Sequence, residues 1–173
     1  MNPELMTEKL QEIVLKALSI CKENNNPEIS SEHFMSAFLV DEDIKNLLNS
    51  FHTNVNQLVN INDKYLNKLS SSNSTSEPMI NRYVASSYNE ALQKSKQRKD
   101  KYISMFDMFI TTLFNNSEVC TELRKYCGFT RNDIEDKYSI ERGGDMINNK
   151  EDENNLNPLK KYGRNLVDDV RNG

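Results

Sequence analysis

An internal repeat constrains the fold of this chain more than any other feature of its sequence. The segment 27–39, PEISSEHFMSAFL, returns about 74 residues later as the segment 101–113, KYISMFDMFITTL. Identical residues mark the register, among them Ile29 with Ile103 and Ser30 with Ser104. Solenoid proteins repeat at the shorter interval of about 20 to 50 residues. The sequence therefore predicts one domain made of two fused halves.

Each half is predicted to begin with a long helix. All 5 glycines lie at position 128 or later, so the earlier residues lack this common helix interrupter. Apolar residues recur at the i, i+3, i+4, i+7 spacing of an amphipathic helix near the start of each half. These stripes are Leu10, Ile13, Val14, Ala17, Leu18 and Cys21, then Val84, Ser87, Tyr88, Ala91, Leu92 and Ser95.

The remaining helices are also predicted in matching pairs. Ser30 and Ser104 are the expected N-caps of the second helix in each half, because a serine hydroxyl can accept from a free N–H at a helix start. Apolar sets at helical spacing indicate the third helices: Ile44, Leu47, Leu48 and Phe51, then Val119, Cys120, Leu123 and Tyr126. Capping residues predict the start of the fourth helices at Asn54 and Thr130.

The predicted fold class is all-α, an eight-helix pseudo-twofold domain made of two four-helix repeats. We expect the domain over residues 1–141, with repeats at 3–70 and 78–140. The polar stretch 142–158 contains glycine and many asparagines, a composition that predicts a flexible linker. A short helix is predicted at 159–173, with too few apolar residues to fold alone.

Composition excludes several classes of function. The net charge is −4, and the lysines and arginines are scattered, so nucleic acid is not an expected partner. The longest apolar runs are only a few residues, so no membrane span is expected. Three cysteines, an odd number, favour a reducing compartment, either cytoplasm or an organelle interior. The only histidines are His33 and His52; we expect no metal site and a structural role for His33.

At this point the sequence resembles the N-terminal domains of Clp ATPases, and within that family the ClpB-type disaggregases most. The resemblance covers essentially the whole chain. It is carried by the duplicated helical layout and by four motifs: the Asn-Pro-Glu-x-x-Thr start, Pro27 to His33, Lys161 to Leu166, and Arg171 to Gly173.

This resemblance implies a tethered, monomeric domain that captures unfolded or aggregated polypeptides. It would pass them to the central pore of a hexameric ATPase ring. The sequence contains no Gly-x-x-x-x-Gly-Lys-[Ser/Thr] phosphate loop, so we expect neither a cofactor nor enzymatic activity in this chain. ATP would belong to the parent protein, whose first ATPase module is expected to follow residue 173.

The resemblance also implies candidate substrate-binding residues. In ClpB-type relatives, a threonine in the first helix and an aspartate and a glutamate around the start of the sixth helix are associated with substrate handling. Thr7 and Asp100 match the first two positions, whereas Phe106 stands at the glutamate position, followed by Asp107. Three aromatic side chains could line an apolar groove between the halves: Tyr88, Tyr102 and Phe106.

Each candidate has a structural alternative. Thr7 is also a suitable N-cap for the first helix. Asp100 lies among lysines and arginines and could form a solvated surface ion pair, worth at most about 1 kcal/mol. Aromatic residues at helical spacing usually belong to a core.

Two other functions stay open at this stage. The domain could dock adaptor proteins for a protease-linked unfoldase of the ClpC or ClpA type, or it could be a helical scaffold for one folded partner. An enzyme is the weakest hypothesis, because no paired carboxylates, activated nucleophile or metal cluster is evident in the sequence.

Overall fold

The structure is a computed structural model, and it describes residues 1–73 and 75–155. Within these residues the chain forms eight α-helices, two strands and two short 3-10 helices. The α-helices are α1 (Glu8–Glu23), α2 (Ser31–Leu39), α3 (Glu42–Ser50), α4 (Val55–Asn67), α5 (Arg82–Gln97), α6 (Met105–Leu113), α7 (Glu118–Arg124) and α8 (Arg131–Arg142). The strands are β1 (Glu28–Ile29) and β2 (Met79–Ile80), and the 3-10 helices are Pro3–Leu5 and Asp152–Asn155. The predicted helix 159–173 and the end of the predicted linker lie outside the described residues.

Two parallel backbone contacts relate the halves by an approximate twofold. Strand β1 pairs with β2, which places Ile29 opposite Ile80, and an isolated bridge pairs Met6 with Ile103. Ile103 is the repeat equivalent of Ile29, and Ile80 is the repeat equivalent of Met6, so the second contact is the first with the halves exchanged. Such reciprocal pairing is the signature of a twofold. The predicted all-α, eight-helix fold is confirmed.

The centre of the domain is the packing of α2 against α6. All of α6 is buried, as is most of α2. The Phe38 ring meets the Phe109 ring edge to face, with centroids 5.3 Å apart, an arrangement that aromatic pairs favour. The equivalent helices of the two halves therefore meet within one shared core.

The helix starts follow the predicted capping. Ser104 accepts from the Asp107 N–H at 3.0 Å, and Thr130 and Asp133 form a reciprocal capping box. Asn54 accepts from the Gln57 N–H at 3.2 Å. These caps satisfy N–H groups that have no partner within the helix.

His33 has the structural role that the sequence predicts. Its Nδ1 accepts from the Ser30 N–H at 2.9 Å, and its Nε2 lies 2.8 Å from Asn26 Oδ1. Both contacts are made at once by the neutral ring with its proton on Nε2. Burial lowers the pKa of His33 from 6.5 to about 4. The folded state therefore requires a neutral imidazole.

This requirement predicts a loss of stability in mild acid. Between pH 6.5 and 4 the unfolded chain binds a proton on His33 that the folded chain does not, so the free energy of unfolding falls as pH falls. The loss is limited to about 3 kcal/mol by the size of the shift. Urea unfolding at pH 7.5 and pH 5 should show a smaller pH-dependent loss in His33→Gln than in the parent chain. The matched control is His52→Gln, at an exposed turn; equal losses in the parent and His33→Gln would contradict the assignment.

Candidate polypeptide-binding site

Most of the residues singled out from the sequence cluster where α1 and α6 begin. These are Thr7, Asp100, Tyr102, Phe106 and Asp107. Tyr88 lies apart on α5, where its hydroxyl accepts from the Asn2 N–H at 3.2 Å. All of them are buried except Tyr102, which is partly exposed. In this arrangement the cluster offers little surface to a partner.

Thr7 is both an N-cap and a ligand of a second group. Its hydroxyl oxygen accepts from the Leu10 N–H at 3.2 Å, which caps α1 as the structural alternative predicted. The same hydroxyl donates to Glu153 Oε1 at 2.5 Å. Thr7 therefore joins the start of α1 to a residue near the other end of the described chain.

Asp100 is a buried anchor, so its interpretation as a solvated surface ion pair is wrong. Its carboxylate accepts from Arg142 Nη1 at 3.0 Å and from Nη2 at 2.7 Å. It also accepts from the Ile147 N–H at 2.9 Å. The Asp100 side chain is 0% exposed, and that of Arg142 is 4% exposed. Two charges this well paired and hydrogen-bonded are stable only as long as both are present.

The structure corrects the placement of two aromatic residues at the wall of a groove. Phe106 is 1% exposed, and its ring stacks on Tyr138 with centroids 5.2 Å apart. Tyr88 is 7% exposed. Both rings are core residues, as their helical spacing also allowed. Asp107, beside Phe106, accepts from Arg98 Nη1 at 2.5 Å and is 1% exposed.

The residues after α8 form a strap across this cluster. We define the C-terminal strap as residues 143–155. The Lys101 N–H donates to the Ile147 carbonyl at 2.7 Å, and the Glu8 N–H donates to the Lys150 carbonyl at 2.9 Å. Residue 142 belongs to α8, and the strap lies against the domain, so the structure corrects the linker prediction for residues 142–155.

Two buried side chains hold the strap against the domain, and the mostly polar composition of the strap predicts neither of them to be buried. Ile147 and Glu153 are each 0% exposed, within a mostly polar tract whose other large apolar residue, Met146, is 50% exposed. A lone isoleucine among asparagines was the one available signal for the first. Nothing in the local sequence distinguishes Glu153 from Glu151, two residues earlier, because the groups that bind Glu153 come from distant parts of the chain.

Glu153 occupies a site built from neutral donors. Besides the Thr7 hydroxyl, its carboxylate accepts from the Met105 N–H at 2.7 Å and from the Phe106 N–H at 3.1 Å. Free N–H groups at a helix start favour a carboxylate. Burial nevertheless raises the pKa of Glu153 to about 7, against the opposing effect of these hydrogen bonds. The hydrogen bonds of the site therefore stabilise the carboxylate, whereas its removal from water destabilises the charged form.

We call the place where the starts of α1 and α6 meet a corner of the seam between the halves. The approximate twofold generates an equivalent corner where α5 and α2 begin, and this second corner is open. A cavity of about 340 Å³ is lined by Asn81, Ser31 and Asn26, the repeat equivalents of Thr7, Met105 and Asp100. We call this cavity the open seam site, because both halves line it. None of the six candidate substrate-binding residues lines this cavity.

The open seam site combines apolar and acidic surface. Apolar or aromatic side chains in its wall are Pro27, Tyr65, Leu69, Tyr83 and Val119. Its carboxylates are Glu28, Glu32 and Glu118, against one cation, Lys68. Burial raises the pKa of Glu32, with a further contribution from Glu118. Pro27 also lines a neighbouring cavity, together with Met79, which is 71% exposed.

Comparison with known proteins identifies the family. The model of the Clp repeat (R) N-terminal domain family matches residues 5–125. This chain belongs to the Clp N-terminal domain family. ClpB of Bacteroides thetaiotaomicron is 27% identical over 175 residues, and ClpB 2 of Synechocystis is 24% identical over 176 residues. These alignments cover 100% and 99% of this chain but 20% of each relative. The chain thus spans about a fifth of the length of these chaperones.

Solved Clp N-terminal domains share the fold. The Hsp104 N-terminal domain from Candida albicans has a TM-score of 0.72 at 20% identity, covering 84% of this chain and 96% of that one. The N-domain of ClpV from Vibrio cholerae has a TM-score of 0.67 at 16% identity, covering 79% and 84%. A ClpV N-domain in complex with a VipB peptide has a TM-score of 0.64 at 16% identity, covering 79% and 86%.

Residues 1–73 and 75–155 form neither a membrane-spanning helix nor a cluster of candidate metal ligands. None of their helices has the length and apolar content needed to cross a membrane. Nor do residues 1–73 and 75–155 bring together three or more histidine, cysteine, aspartate or glutamate side chains that could hold a metal ion.

The buried pairing of Asp100 predicts a large effect of Asp100→Asn on stability. The substitution keeps the shape of the side chain but removes the carboxylate charge that is hydrogen-bonded to the Arg142 guanidinium, which should lower the free energy of unfolding by about 3 kcal/mol. Urea unfolding measures the change. Asp136→Asn, at an exposed position on α8, is the control for loss of a carboxylate. A loss below about 1 kcal/mol would instead indicate a solvated pair.

Proposed function

We propose that this Clp N-terminal domain captures unfolded or aggregated polypeptides for a ClpB-type, ATP-dependent disaggregase, and that they bind at the open seam site. The parent would be a hexameric ring that binds ATP and threads the captured chain. In this proposal the domain itself catalyses nothing, and it works in the cytoplasm or the interior of an organelle. Its three cysteines are free and buried, which fits a reducing compartment.

The observation that carries the proposal is the chemistry of the open seam site. An unfolded polypeptide exposes apolar side chains of many shapes, so a surface that binds it needs apolar area without a tightly shaped pocket. The site offers Tyr65 and Leu69 within its wall and Met79 close by. Exposed apolar surface with a polar rim is typical of a protein-binding site.

The carboxylates of the site add a preference for basic polypeptides. Glu28, Glu32 and Glu118 outnumber the single cation Lys68. A lysine or arginine beside an apolar residue in the bound segment would offset this excess of negative charge. Such complementarity contributes to specificity more than to affinity.

The expected affinity of one domain is weak. A dissociation constant in the micromolar range corresponds to about −8 kcal/mol. Several copies of the domain on one ring would still hold an aggregate, because binding by one copy raises the effective concentration for the others. Weak single contacts also allow the chain to be released into the pore.

A second candidate function is the docking of a dedicated protein partner, such as an adaptor of a protease-linked unfoldase. It is favoured by the complex of a ClpV N-domain with a VipB peptide, which has the same fold. The two functions differ in whether the partner must be unfolded.

Titration with one labelled protein, native and denatured, tests the proposal. We expect the denatured form to bind with a micromolar dissociation constant and the native form to bind far more weakly. Met79→Ser should weaken binding of the denatured form roughly fivefold, since it removes about 1 kcal/mol of apolar burial.

The matched control for this titration is Ile140→Ser. Ile140 is 77% exposed on α8, and the substitution removes a similar apolar side chain that lines neither the open seam site nor the neighbouring cavity at Met79. The proposal would be rejected if the denatured protein showed no saturable binding up to high micromolar concentration. Equal weakening by both substitutions would place binding elsewhere, and equal binding of native and denatured forms would favour a dedicated folded partner.

A further inference from the structure

We infer that the C-terminal strap is a releasable intrachain ligand, and that its site at the starts of α1 and α6 accepts an acidic segment of another polypeptide once the strap leaves. The inference concerns the covered corner of the seam. It does not depend on binding at the open seam site.

The strap contacts the domain as a bound peptide would. Backbone N–H groups of the domain, at Glu8 and Lys101, donate to strap carbonyls, and the strap N–H of Ile147 donates back to Asp100. Main-chain contacts of this kind hold a bound segment whatever its sequence. Specificity then comes from the side chains that enter pockets, which here are Ile147 and Glu153.

The pocket for Glu153 recognises a carboxylate and nothing particular to this chain. Its donors are one hydroxyl, on Thr7, and two main-chain N–H groups at the start of α6. Release of the strap leaves all three without their acceptor. An aspartate or glutamate of another polypeptide, presented by a short helical turn as Glu153 is, would satisfy the same donors.

The open copy of the corner indicates that the site keeps its shape without a strap. Asn81 and Ser31 occupy the positions equivalent to Thr7 and Met105, and the cavity between them is open to a ligand. The two helix starts are held together in both copies by the same parallel backbone contact. Removal of the strap should therefore leave a cavity at the covered corner rather than collapse it.

The strap is also held weakly enough to leave. Ile147 is its one buried apolar side chain within residues 143–155, and the desolvation of Glu153 offsets part of what its hydrogen bonds contribute. Segments with little buried apolar area open locally at low free energy. Opening of the strap is thus separable from unfolding of the domain.

Amide hydrogen exchange on the full chain tests whether Glu153 holds the strap. In Glu153→Ala we expect exchange at Glu8, Lys101 and Met105 to accelerate at least tenfold, while amides within α2 keep their protection. Glu151→Ala removes the same charge from an exposed position on the strap and should leave all of these amides unchanged. Unchanged exchange in Glu153→Ala would overturn the inference, as would global unfolding of both Glu153→Ala and the milder Glu153→Gln.

A peptide added in trans tests whether the emptied site binds an acidic segment. The probe is a synthetic peptide with the sequence of residues 145–155, DMINNKEDENN. It should bind the Glu153→Ala chain at least tenfold more tightly than the parent chain, where the strap competes. The same peptide with glutamine in place of the glutamate equivalent to Glu153 should lose most of this binding. The inference would be contradicted if the two peptides bound equally well, or if the parent and Glu153→Ala chains bound the peptide equally well. This outcome is independent of the effect of Met79→Ser on the binding of denatured protein.

Discussion

The two parallel backbone contacts across the seam are the constraint on which the rest of this structure depends. Each contact lies directly before the helix starts of both halves: Met6 precedes α1, and its partner Ile103 precedes α6. Parallel pairing sends both chains onward in the same direction, so two helix N-termini emerge side by side. Free N–H groups and positive helix ends are thereby concentrated in one corner. The twofold builds that corner twice.

The two corners differ in the groups that face these free N–H groups and positive helix ends. In one, the strap supplies a carboxylate, Glu153, to donors at two helix starts, and the ion pair of Asp100 with Arg142 closes its flank. In the other, the position of Asp100 is taken by Asn26, which meets a neutral His33. Loss of charge at that flank leaves the second corner without an ionic anchor for a covering segment. The duplication thus yields one covered and one open surface from one geometry.

The sequence predicts this fold well and its surfaces poorly, for one physical reason. Helix stripes and caps such as Ser104 and Thr130 depend on residues three or four positions apart, so they are legible locally. The repeat then supplies the tertiary pairing. The burial of Asp100 depends on Arg142, 42 residues away, and that of Glu153 depends on Thr7, 146 residues away. No local pattern encodes those contacts.

The strength of the strap's attachment falls along its length. Its first residues follow α8, where Arg142 joins Asp100 by two charge-assisted hydrogen bonds and donates to the Asp145 carbonyl at 2.8 Å. Its last described turn is held by Glu153, whose donors are neutral and whose burial is costly. A segment anchored firmly at one end and loosely at the other opens from the loose end. Opening would therefore expose Thr7 and the start of α6 first, while Asp100 stays paired.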